Sequence, residues 1–339
     1  MMGIGPWSDN SARGGVLATG HWFSSNLKRA LEELFEAKSI FDELDDPEGR
    51  AKAVISIGNV YRSIGDYDQA YLNSHQALEF FKTAGNRLWE CLALVGLGMT
   101  CELIGDYQSS LQHYNKLIEI ATTPKTKWIP GRAFDGIGNV YLHMGNYEQA
   151  LTYYLKSLEV FKDAGERAGI ARALNDLGIV HQSLGDHQHA VEFYLNSLQI
   201  REEIGQKEAQ CTCLVNLGKL YIQEKNAPKA FEYLKRALNI AIEVKANPRI
   251  YQAHFQLCDA YELNGDLSNA LKHFRAYHQA QEEVFKEESD TKIKNLKTRF
   301  EVEKAEKDAE ITRLKNVELK EKNLHLEQLL QDLRAAQVH

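Results

Sequence analysis

The stretch Ile137-Gly138-Asn139-Val140-Tyr141-Leu142-His143-Met144-Gly145-Asn146-Tyr147-Glu148-Gln149-Ala150 decides how the chain folds. Gly138, preceded by Ile137, is a small residue that lets one helix approach another closely, and Tyr141 fills the space beside it. Gly145 can adopt the left-handed conformation that ends a helix without a Cβ penalty, and Asn146 can cap the start of the next. Ala150 is a second small residue for close packing. The fourteen residues therefore read as the inner half of a helical hairpin.

The pattern recurs every 40 residues. The first small column is Gly58, Gly98, Gly138, Gly178, Gly218 and Cys258, and three residues further on come Tyr61, Cys101, Tyr141, His181, Tyr221 and Tyr261. Turn pairs follow at Gly65-Asp66, Gly105-Asp106, Gly145-Asn146, Gly185-Asp186 and Gly265-Asp266, with Lys225-Asn226 as the degenerate copy. The second small column is Ala70, Ser110, Ala150, Ala190, Ala230 and Ala270. A single hairpin cannot bury its own apolar face, so a series of this kind must stack its copies to build a core. Ala30, Leu31 and Ala37 extend the register backwards into a seventh, decayed copy.

These columns resemble the tetratricopeptide repeat, with L-G-x-x-Y, G-x-Y, a small residue and a later aromatic, here Tyr114, Tyr154, Tyr194 and Phe274. The usual period is 34; the extra six residues are expected to lengthen the helices and the links between hairpins, as across 79–93. The 40-residue variant is similar to the repeats of cell-polarity scaffolds and of bacterial sensors and regulators. The resemblance implies an all-α, right-handed superhelical solenoid over 26–284. Residues 1–25 are expected to be a loosely ordered leader or the decayed first helix, and 285–339 a long coiled-coil helix.

The coiled-coil expectation has its own basis. No Gly or Pro follows Gly265. Ile293, Leu296, Phe300, Ile311, Leu314, Val317, Leu324, Leu326, Leu330 and Leu333 trace apolar seams with register shifts, which suits a two-stranded coil and hence a homodimer. A solvated single helix, or one folded back on the array, is the alternative. The segment is also similar to signalling helices that join bacterial sensor repeats to histidine-kinase or nucleotide-cyclase domains, which leaves a sensory part of such an enzyme as the second functional reading.

Composition narrows the function. Residues 285–339 hold 12 basic and 12 acidic residues, so the formal charge of −7 sits on 1–284. An acidic array is a poor nucleic-acid binder. There is no run long and apolar enough for a membrane span, and Met1–Trp22 lacks the basic and apolar segments of a secretory signal. Five cysteines without disulfide spacing suit reduced thiols in the cytoplasm. Phosphate-loop, dinucleotide, zinc-protease and serine-hydrolase motifs are all missing. No enzyme, cofactor or metal site is therefore expected. His181, His187 and His189 form the densest histidine group, but His181 and His187 occupy aromatic columns and read as packing.

What remains is the face of each first helix that packing leaves over, which in such arrays lines the concave groove. It carries Lys52 and Asn59, then Arg132, Asp135 and Asn139, then Arg172, Asn175 and Asp176, then Asn216 and Lys219. Asn can bond both groups of a peptide backbone and Arg can clamp a carboxylate. Asn and Arg at matching places contact the ligand in polarity-scaffold repeats, so the resemblance implies peptide contacts at Asn139, Arg172, Asn175 and Asn216. The expected function is a scaffold or regulatory module that holds a peptide or protein in this groove and dimerises through its tail.

Overall fold

A computed structural model describes residues 27–123 and 126–284. Among them there are only helices, turns and short links. The helices are α1 (Leu27–Glu43), α2 (Pro47–Ile64), α3 (Tyr67–Thr83), α4 (Arg87–Ile104), α5 (Tyr107–Ile120), α6 (Ile129–His143), α7 (Tyr147–Ala164), α8 (Arg167–Ser183), α9 (His187–Glu203), α10 (Lys207–Gln223), α11 (Ala227–Glu243) and α12 (Asn247–Leu263). A thirteenth, α13, begins at 267 and is described to 284. The even-numbered helices open the six hairpins; α1 is the second helix of the decayed copy. Its expected partner, like the seam residues 293–333, lies outside the described residues.

The helices differ little in length because the chain turns at a fixed interval. Among the described residues positive φ angles fall at Asp45, Gly65, Gly85, Gly105, Gly145, Gly165, Gly185, Gly205, Lys225, Lys245 and Gly265, a step of 20 residues with one interval of 40 between Gly105 and Gly145. The structure thus corrects one expectation. The six residues added to the usual repeat go almost wholly into helix, since most links between hairpins are as tight as the turns within them. The exception is the stretch 121–128 before α6. The turns inside hairpins are capped throughout, whereas those between hairpins are capped only at Asp46 and Asn86. Asp66, Asp106, Asn146, Asp186 and Asn226, at the turns inside hairpins, each accept a bond from the backbone N–H three residues on. Glu166, Gln206 and Ala246, between hairpins, make no side-chain cap.

The glycine column is explained by what would meet a side chain there. A Cβ on Gly138 would lie 2.6 Å from Tyr154 Cε1, and one on Gly98 or Gly178 would lie as close to Tyr114 or Tyr194. The ring that presses on each glycine therefore comes from the second helix of the hairpin, sixteen residues on, rather than from the aromatic three residues on. Tyr114 also abuts Gly136 of the following hairpin, where a Cβ would meet its Cζ at 2.2 Å. One tyrosine thus fills the gap between two successive hairpins. All three rings are fully buried, and their hydroxyls donate to Glu102 Oε2 (3.3 Å), Asn139 Oδ1 (2.6 Å) and Gln182 Oε1 (2.8 Å) on the first helices.

From α1 to α12 every helix packs on its neighbours in sequence, and each first helix also packs on the next first helix, from α2 to α12. This second set of contacts draws the even helices together and makes their shared surface the inner wall of the array. Packing to native density leaves no slack at the glycine column. Gly138→Ala is expected to cost about 1–3 kcal/mol by overpacking against Tyr154. Urea denaturation read by circular dichroism checks this; an unchanged midpoint would refute the packing account.

Candidate functional site

The inner wall is built from the even helices, and its polar centre lies where α4, α6 and α8 meet. Asp135 on α6 is 6% exposed. Its Oδ2 lies 3.7 Å from Nη1 of Arg172 on α8, whose side chain is 44% exposed. Its carboxyl also meets that of Asp176 on α8. Arg132, one turn before Asp135, is half-buried. Its guanidinium is held down to about 10, first by burial and then by Arg172. Like charges on adjacent helices are tolerated because Asp135 stands between them.

Asp176 sits beside this group. Its carboxyl touches solvent, but it is sunk in the concavity of the wall. Burial, followed by the neighbouring Asp135, pushes it up to about 8. Asp135 is also raised, by burial, against the pull of Arg172 and Arg132. Two carboxyls this close disfavour double ionisation, so the pair holds a proton near neutrality. Asn175 Nδ2 donates to Asp176 Oδ1 (3.2 Å), and Asn216 Nδ2 on α10 donates to Asn175 Oδ1 (3.1 Å). Cys213 Sγ lies 3.6 Å from that same oxygen.

Three charged residues of the wall escaped sequence reasoning. Glu102, near the end of α4, is pushed up to about 7, chiefly by burial. It accepts from Tyr114 and lies 3.5 Å from His143 Nε2. Arg62 of α2 is lowered by burial, and its Nη1 has no protein partner. Arg201 comes from a second helix, α9, where it is 7% exposed and donates from Nη1 to the Ala209 carbonyl at 2.6 Å.

The sequence-derived positions are spread along the wall. Arg132, Asp135, Arg172, Asn175, Asp176 and Asn216 come together as described. Asn139 is adjacent, but its oxygen is engaged by Tyr154. Asn175, 4% exposed, has both amide atoms engaged inside the wall. Its amide ties Asp176 to Asn216. Lys219, with Asn216, borders a cavity of about 400 Å³ between α10 and α12 that is also lined by Tyr251, Phe255 and Tyr277. Lys52 and Asn59 stand farther along, on α2. Lys52 Nζ lies 2.8 Å from Glu48 and 5.4 Å from the Trp89 ring centre.

A family model for the tetratricopeptide repeat matches residues 49–123, 131–203 and 170–243, more than half of the chain. The chain belongs to the tetratricopeptide repeat family. Its fold is similar to that of the quorum sensor NprR from B. thuringiensis in its apo form, with a TM-score of 0.65 at 15% identity over 79% of this chain and 74% of that one. The Rap conjugation gene regulator of plasmid pLS20, solved in complex with the Phr* peptide, gives 0.62 at 16% identity over 79% and 73%. The apo form of RapI gives 0.60 at 15% identity over 80% and 98%. At these identities the likeness is one of fold. No curated protein sequence matches the chain. No helix among the described residues is long and apolar enough to cross a membrane.

The raised carboxyls set a pH dependence. In the unfolded chain Asp176 loses its proton near its ordinary 3.8, whereas the folded protein keeps it to about 8. The folded state therefore binds more protons between these limits, and stability contributed by this group falls as pH rises through that window. Asp176→Asn should flatten the fall. Urea midpoints of both proteins across the window would test this, and equal slopes would refute it.

Proposed function

We propose that the array is a peptide-binding regulatory module acting in the cytoplasm, whose inner wall takes an extended peptide with a basic residue set against Asp135 and Asp176. The observation that carries this is the pair of buried carboxyls, Asp135 and Asp176, both raised and set beside the half-exposed Arg172. A cationic ligand group placed against them stabilises the ionised form that burial disfavours. A guanidinium or ammonium suits the place better than a neutral donor, because its charge favours ionising the Asp135–Asp176 pair and displacing the shared proton.

The rest of the wall fits an extended ligand. Asn216 and Lys219 lead from the acidic pair to the aromatic-lined cavity by Phe255 and Tyr277, so a bulky side chain following the basic one has a place to go. Arrays of this fold include one solved with a peptide bound. Specificity then comes from the spacing between the carboxyl pair and the cavity.

Binding selection from a random peptide library on the full chain tests the reading. Enriched peptides should carry Lys or Arg, and Asp135→Asn should weaken them about tenfold or more, the scale of losing one charge-assisted bond. Enrichment without a basic residue, or affinity indifferent to that substitution, would remove the basis for the proposal. The second half of the reading is dimerisation through the seam from Ile293 to Leu333. Light scattering should give a dimer for the full chain and a monomer for 26–284; two monomers would dispose of the coil.

A further inference from the structure

The turn of the fourth hairpin brings together three metal-ligand side chains that the groove does not use. His181, near the end of α8, places Nδ1 3.0 Å from Asp186 Oδ2. His189, in the first turn of α9, places its Nδ1 2.7 Å from the same oxygen. The three donor atoms all lie within 4.8 Å of one another. We propose that His181, Asp186 and His189 form a binding site for a divalent transition-metal ion of the zinc type, with a remaining coordination position open to solvent.

The donor set selects the ion. Two imidazoles and one carboxylate suit zinc and its neighbours, whereas calcium and magnesium take oxygen ligands. A tetrahedral zinc ion with bonds of about 2.0–2.1 Å sets its ligands roughly 3.3 Å apart, which the present cluster reaches by small rotations of the rings. Asp186 is already divided for the task. Its Oδ1 caps α9 by accepting from the His189 N–H, and Oδ2 is the atom both imidazoles address. In the hydrogen-bonded form each Nδ1–H donates to Oδ2. Ion binding needs each Nδ1 free of its proton, with the remaining N–H on Nε2.

The surroundings hold the site on one side and leave it open on the other. The Phe193 ring packs on His181 at 5.1 Å, and the two imidazole centres are 5.4 Å apart. The His181 side chain is half-buried and that of His189 exposed, so the open position faces solvent on the His189 side. His187 is engaged elsewhere, with Glu224 at 3.5 Å.

Capping alone does not account for the two imidazoles. The other five hairpins make the same turn with Tyr61, Cys101, Tyr141, Tyr221 or Tyr261 at the first position. They carry Gln69, Ser109, Gln149, Lys229 or Asn269 at the second. Only the fourth places histidine at both. These equivalents also supply variants that the fold already accommodates: His189→Gln, His181→Tyr and Asp186→Asn, the last keeping a cap as at Asn146.

The test is calorimetric titration of the full chain with zinc chloride, with cobalt absorption reporting coordination geometry. Wild type should take up one equivalent, and its thermal midpoint should rise with zinc. Each substitution should weaken that binding by about tenfold or more and abolish the shift in midpoint. Absence of a one-equivalent site, or binding equally tight in all three variants, overturns the proposal; the second result would assign the ion to other histidines or cysteines.

Discussion

A ring pressed against bare backbone is the contact on which this molecule depends. Tyr114, Tyr154 and Tyr194 lie where no Cβ can stand, and each fixes the separation between the two helices of its hairpin. Tyr114 reaches the following hairpin as well, through Gly136. Because the stack has only nearest-neighbour contacts, errors in one such distance pass along the array. The tyrosine hydroxyls carry the same geometry to the inner wall, where they meet Glu102, Asn139 and Gln182. Packing at the back and hydrogen bonding at the front are therefore one constraint.

The wall is costly to build. It gathers Arg62, Glu102, Arg132, Asp135, Arg172 and Asp176 in a concavity where water is scarce, and burial is the largest influence on five of them. Charges so placed need partners of opposite sign and complete hydrogen bonding, or they weigh against folding. Here the compensation is incomplete: Arg62 Nη1 has no protein partner, and Asp135 and Asp176 are both held raised by burial. Residual cost of this kind is found where a surface is shaped for something other than its own stability.

Much of the fold was legible in the residues. The small columns and the capped turns have position-specific causes, so the period, the hairpins and the turn inside each hairpin followed from Gly138, Asn146, Ala150 and their counterparts. The 20-residue step was hidden because Asp45, Lys225 and Lys245 take the left-handed turn that Gly takes elsewhere. Of the site, the leftover face of the first helices was readable, and it included Asp135, Arg172 and Asp176. Glu102 and Arg62 were not, because their burial comes from the curvature of the stack and not from their own helices. Arg201 was hidden on a second helix. His181 and His189 were visible as part of a histidine group, but spacing counted along the chain does not show that the turn between their helices sets Asp186 against both.

The even step between left-handed residues also bears on how such a chain can change over generations. Loss or gain of 40 residues removes or adds a whole hairpin and leaves every remaining helix facing as before. A change of 20 would exchange the roles of all helices beyond it, turning groove-lining faces outward and exposing the tyrosine sockets. The solenoid thus has a reading frame of its own, two helices wide. Evolution can lengthen or shorten its groove only in those units, while each new unit arrives with a blank face on which a different ligand contact can be written.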